Sequence, residues 1–191
     1  LDPDLGGRYQ AIDQLAKLGG ADVADALGRT LREGRFWGER VRAASALGGI
    51  KLPEALDALL GAHDDSDARV RRAVLAAMAK HGGTEAEDAL MRAAESDASP
   101  DIVAEALDAL SRLRCERALP LMAAGLQRDS RNETIRIAAL NALGRMEAED
   151  NFDEVLALAA DDAPRMSRPS AISAIGAIGK AMDDQVRARS A

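Results

Sequence analysis

WGERVRAASALGGI, running from Trp37 to Ile50, decides the fold. Ala43, Ala44 and Leu47 fall on one face at helical spacing, so the run reads as a short amphipathic helix that ends in Ala46-Leu47-Gly48. The same object recurs. Leu47 aligns with Leu15, Met78, Leu110, Leu143 and Ile175, at separations of 32, 31, 32, 33 and 32 residues. Before these anchors stand Gln14, Ala46, Ala77, Ala109, Ala142 and Ala174; after them stand Ala16, Gly48, Ala79, Ser111, Gly144 and Gly176. A fixed period of this length marks a repeat array, in which each unit buries its faces on its neighbours.

Each unit reads as two helices. In helix A, positions four and three before the anchor are Ala11-Ile12, Ala43-Ala44, Val74-Leu75, Ala106-Leu107, Ala139-Leu140 and Ala171-Ile172, which complete a buried stripe. Turn signals follow: Gly19-Gly20, Lys51-Leu52-Pro53 and Gly82-Gly83. Asp22 is a candidate cap, Pro53 suits a first helical position, and Thr84 with Glu87 matches a capping box. Helix B carries Leu27, Leu59, Leu90, Met122 and Val155 twelve residues after the anchor. The small residues flanking the anchors should let neighbouring backbones approach. We therefore expect an all-α fold: an α-solenoid of about six helix-pair repeats, at about 5–34, 35–66, 67–98, 99–131, 132–163 and 164–191, forming one domain over 1–191. Repeat six should be atypical, with helix A delayed to Pro169 and a short polar helix B from Met182 to Arg189. Repeat one is apolar at Tyr9, Ile12 and Leu15, as if something upstream covered it. The chain opens on Leu1-Asp2-Pro3 without an initiator Met, which we read as a piece of a longer protein.

Composition narrows the function. The net charge is −7, with the acid excess spread along the chain. No basic face for nucleic acid and no attraction to an anionic membrane are expected. No apolar run is long enough to span a bilayer. Cys115 is the only cysteine, so no internal disulfide forms, and a cytoplasmic location is favoured. No signal peptide is visible.

The units Val70 to Met78 (VRRAVLAAM) and Ile135 to Gly144 (IRIAALNALG) resemble short HEAT repeats. Phe36-Trp37-Gly38-Glu39-Arg40-Val41-Arg42-Ala43-Ala44 resembles a helix start in the C-terminal HEAT-like domain of bacterial gluzincin-type, alanyl-aminopeptidase-like zinc metallopeptidases; Arg8-Tyr9-Gln10-Ala11 resembles that domain's opening helix. Glu39 departs from the family, which more often has Val there. The family's His-Glu-x-x-His motif is absent. The resemblance implies a non-catalytic end of such a hydrolase, packed on an upstream catalytic domain of the same chain and shaping substrate access. Zinc would then belong only to that missing domain, and this chain holds no cofactor.

Candidate sites were weighed against plainer readings. His63 and His81 fill positions that are apolar in other repeats, which favours structural roles over metal binding. Asp64-Asp65-Ser66-Asp67 lacks the Gly and bidentate Glu of a calcium loop and reads as a turn and cap. Ile175-Gly176-Ala177-Ile178-Gly179-Lys180 lacks the first glycine and the strand of a phosphate loop. Cys115 reads as an inert thiol in a turn. No catalytic, cofactor or metal residue is assigned. Seven residues before the anchor, Arg8, Arg40, Arg71, Val103, Arg136 and Arg168 form an Arg column broken once. Acids lie at the exit of helix B: Glu33, Asp65, Asp97, Asp129 and Asp161. These columns are either an inter-repeat ladder, which we favour, or a binding stripe. With Val103 in the column, the repeat-four junction should rest mainly on apolar packing. Phe36 and Trp37 are either docking aromatics or packing residues. Three functions remain: the aminopeptidase domain, a freestanding scaffold that binds a protein partner on its helix B face, and a HEAT-like lyase or hydroxylase relative, against which the missing His cluster weighs.

Overall fold

The computed structural model describes residues 4–189; the opening Leu1-Asp2-Pro3 lies outside them. Among the described residues there are eleven α-helices and no strand. They are α1 (Leu5–Leu18), α2 (Ala21–Glu33), α3 (Trp37–Leu47), α4 (Pro53–Leu60), α5 (Ala68–His81), α6 (Thr84–Ser96), α7 (Pro100–Arg112), α8 (Leu119–Gly125), α9 (Thr134–Met146), α10 (Phe152–Ala157) and α11 (Arg168–Arg189). The odd-numbered helices up to α9 are the A helices and the even-numbered ones the B helices. The fold is an all-α array of helix pairs, and none of its described helices is long and apolar enough to cross a membrane. The chain gathers into two compact units, Leu1–Leu90 and Met91–Ala191.

In the four middle repeats both stripes are buried as the spacing requires; in the terminal repeats the helix A stripe is open, with Ala11 exposed and Ile172 58% exposed. Anchors Leu47, Met78, Leu110 and Leu143 are inaccessible, as are Leu27, Leu59, Leu90, Met122 and Val155 on the B helices. The flanking small residues bring helices into contact. A Cβ on Gly48 would lie 2.9 Å from the Ala77 Cβ, and one on Gly144 would lie 3.0 Å from the Ala174 Cα. So the residue after one anchor meets the residue before the next.

Four of the five A-to-B turns use a left-handed residue four positions after the anchor; the turn at Lys51 does not. Gly19, Gly82, Arg114 and Glu147 have φ of 65°, 69°, 56° and 55°, the conformation that ends a helix and that glycine adopts most easily.

Local expectations needed four corrections. The residue before α2 is Gly20, and Asp22 lies in the helix's first turn. The Glu87 N–H donates to the Gly83 carbonyl at 3.0 Å, so Gly83 takes the cap position and Thr84 is the first residue of α6. Ile12 is buried within its own unit and Tyr9 lies under the Arg42 guanidinium, 4.3 Å from the ring centroid; only Leu18 is widely exposed, at 77%. Repeat six is one unbroken helix and not a pair, although its start is delayed to Arg168-Pro169 as expected. Gly179 occupies the slot of Gly19 and Gly82, but those turns carry a second glycine at positive φ, Gly20 and Gly83. A lone glycine followed by Lys180-Ala181-Met182 weakens a helix without ending it.

Candidate functional site

The Arg column is largely consumed inside the fold. In the first unit, Arg40 Nε and Nη2 donate to the two Asp65 carboxylate oxygens at 2.8 and 3.0 Å, and its Nη1 donates to the Gly34 carbonyl at 2.9 Å. Arg71 Nη1 donates to the Asp65 carbonyl at 2.9 Å. In the second unit, Arg136 Nε donates to the Leu126 carbonyl at 2.8 Å, and Arg168 Nη2 to the Asp161 and Ala163 carbonyls at 2.6 and 3.1 Å. The recurring partner is therefore a backbone carbonyl at the exit of the preceding helix B. The fork of arginine caps those leftover acceptors well.

The acids behave unevenly. Asp65 is half-buried in its ion pair, whereas Asp129 and Asp161 are fully exposed and stand 3.5 and 3.6 Å from their arginines. Asp97 accepts the Ser99 N–H at 2.8 Å. Glu33 is exposed, and the ion partner of Arg8 is instead Glu39, at 2.6 Å. Glu39 is almost wholly buried, which explains an acid at a position where the resemblance leads one to expect valine. At the Val103 break, Arg128 Nη1 reaches the Ala94 carbonyl at 2.8 Å. An arginine from the end of the helix B region replaces the missing one, so that junction does not rest on apolar packing alone.

Phe36 and Trp37 stack at a centroid distance of 5.1 Å. The Arg69 guanidinium lies 3.8 Å above the Trp37 ring and is itself paired with the Asp67 carboxylate at 2.7 Å. That pairing holds the Asp67 carboxyl at about 2, below its ordinary 3.8, first through the Arg69 side-chain hydrogen bond. A Cβ on Gly38 would meet the Tyr9 hydroxyl and the Phe36 ring. Gly38 is thus fixed by packing and one face of Trp37 is covered, while Phe36 stays 37% exposed.

Two interactions gave no signal in the sequence. The Glu133 carboxylate accepts the N–H groups of Ser167 and Met166 at 3.0 and 3.3 Å, ahead of α11. Hydrogen bonds from Ser167, then from the Met166 N–H, with Arg136 nearby, lower the Glu133 pKa. At the far end of the A helices, Lys51 Nζ donates to the Lys80 carbonyl and Arg114 Nη1 to the Arg145 carbonyl, each at 2.5 Å.

The histidines are tied to the backbone. His63 Nδ1 lies 2.8 Å from the Leu60 carbonyl and His81 Nε2 lies 3.0 Å from the Leu47 carbonyl. Cys115 is buried. Among the described residues, no group of three or more His, Cys, Asp or Glu side chains is placed to hold a metal.

The B helices present a different surface. Seven and ten residues after the anchors stand Asp22 and Asp25, Glu54 and Asp57, Glu85 and Asp88, and Asp150 and Asp153. These columns escaped notice because they lie off the buried stripe. The acids at the first of these positions sit near helix starts, where the helix dipole favours them. The second column lies a turn further on. Asp25, Glu54 and Asp57, together with the cation Arg32, line an open cleft of about 230 Å³ between α2 and α4, floored by Gly28 and Ala58. Among the described residues, none of these three carboxylates closes an ion pair. In the second unit a larger groove, of about 750 Å³, runs between α8 and the turn after α9.

A family model for HEAT repeats matches residues 26–110, 61–137 and 87–176. The chain belongs to the HEAT-repeat family. No curated protein matches it. Among solved structures, this HEAT array is similar to the complex of CpcE and CpcF of phycocyanin lyase from Nostoc sp., at 23% identity and a TM-score of 0.59, covering 93% of this chain and 73% of that one. It is also similar to an engineered protein, at 16% identity and a TM-score of 0.54, covering 94% and 93%. Human deoxyhypusine hydroxylase in complex with glycerol aligns at 21% identity and a TM-score of 0.49, covering 94% and 82%. At these identities the likeness concerns the fold.

Proposed function

We propose that this chain is a non-catalytic HEAT-repeat scaffold that binds a basic protein partner through the exposed face of its B helices. One observation carries the reading: the arginines at the repeat junctions are engaged inside the fold, while Asp25, Glu54 and Asp57 line a cleft, beside Arg32, and none of the three closes an ion pair within the described fold. Three carboxylates without an ion partner on one face steer and select a cationic surface. The family supports this, since stacked repeats offer extended binding faces. One of the similar structures is a complex of two proteins, CpcE and CpcF. The aminopeptidase reading rests on the sequence resemblance of residues 8–11 and 36–44, and internal packing accounts for Trp37 and Gly38 in the second of these.

The test compares the wild-type chain with the triple variant Asp25→Lys, Glu54→Lys, Asp57→Lys in affinity capture, with unchanged melting as the folding control. The reading expects a basic protein retained by the wild type and lost by the variant. Identical capture by both chains, or an acidic captured partner, sinks it.

A further inference from the structure

The groove in the second unit has a different character from the clefts of the first. Its floor is apolar: Leu119, Pro120 and Ala123 from α8, and Met146 and Ala148 from the end of α9 and its turn. Its rim carries Glu116, Glu147, Glu149 and Asp150 against the single cation Arg114. Arg114 is itself engaged, donating to the Arg145 carbonyl at 2.5 Å and lying 3.8 Å from Glu147. Glu149 accepts a hydrogen bond from the Gln185 side chain. Glu116 and Asp150 are exposed, and among the described residues neither closes an ion pair. Gln185 reaches the groove because α11 runs on without a break. Had repeat six turned into a second helix after Gly179, this wall would not exist in its present form.

We infer that this groove docks an amphipathic basic helix of a partner protein, which deepens the scaffold reading and rests on it. The chemistry argues for this occupant. The groove encloses about 750 Å³ in all, and its apolar floor accepts one or two aliphatic side chains, the anchors by which a helix lies in a groove. A helix that presents apolar residues on one stripe carries Lys or Arg a turn away, where Glu116 and Asp150 stand. A nucleic acid would be repelled by the same rim. A metal is excluded as the main ligand because the carboxylates form no converging group among the described residues.

The experiment titrates the full 15N-labelled chain with an amphipathic helical peptide of Leu and Lys, and with its Leu and Glu counterpart. The expected result is amide shifts concentrated at Leu119, Ala123, Met146 and Asp150 for the Lys peptide only. Glu116→Lys with Asp150→Lys, or Ala123→Trp, should each weaken binding about tenfold or more, with the remaining spectrum unchanged. Equal binding of the Glu peptide, or indifference to both variants, overturns the proposal. If the shifts fall instead on Asp25, Glu54 and Asp57, the groove is wrong and the scaffold reading survives. If the Lys peptide moves no amide in either place, both fail.

Discussion

Arg40 grips Asp65 with two parallel hydrogen bonds of 2.8 and 3.0 Å, while its third nitrogen holds the Gly34 carbonyl. One guanidinium thus ties the junctions at both ends of repeat two. With side chains only 15% and 13% exposed, removing one partner leaves the other partly buried and unpaired. Asp65→Ala should cost about 2 kcal/mol in urea unfolding. Asp129→Ala and Asp161→Ala should stay within about 0.5 kcal/mol, because those carboxylates are exposed and their arginines rely on carbonyls. Equal losses at all three positions would restore the carboxylate ladder.

Gly48 and Gly176 occupy the same position in different repeats. The first meets Ala77, and the second has nothing within 4 Å among the described residues. Gly48→Leu should cost about 1–3 kcal/mol through overpacking, whereas Gly176→Ala should gain about 0.5–1 kcal/mol from backbone entropy. Thermal melts of the two variants decide it.

Glu147 adopts a left-handed conformation, φ 55°, that costs a side-chain-bearing residue of order 1 kcal/mol. Glu147→Gly should raise stability by up to about 1 kcal/mol. A lower melting temperature would show that the weak Arg114 contact matters more than the backbone.

Asp67 titrates at about 2 when folded against an ordinary 3.8. A depressed carboxyl stabilises the fold above its unfolded value, and that contribution fades as the pH falls from about 4 towards 2. Arg69→Ala should return the Asp67 midpoint towards its ordinary value in a carbon-detected titration. It should also change the emission of the single tryptophan, whose ring Arg69 covers. Emission that ignores the substitution would contradict the stacking.

The architecture was readable because one spacing repeats and because buried apolar stripes obey it. Leu47 and Leu59 announce themselves by position alone. The arginines were readable as junction residues, but their partners were not: a carbonyl leaves no mark in a sequence, so the nearby acids attracted the assignment. Arg128 and Glu133 act from outside any column, and only the folded chain brings them to Ala94 and Ser167. The expected helix B at Met182 to Arg189 is instead the continuation of α11, because Gly179 stands alone where α1 and α5 end on glycine pairs. The B-face acids lie off the buried stripe, so no apolar periodicity marks them.

The meeting of Gly48 with Ala77, and of Gly144 with Ala174, restricts how this protein can change length. One residue inserted into an A helix turns everything beyond it by about 100°. That would rotate a bulky side chain into a seam with no room for a methyl group. Evolution and design can therefore lengthen or shorten such an array by whole repeats, or within the turns, but not by single steps inside its A helices.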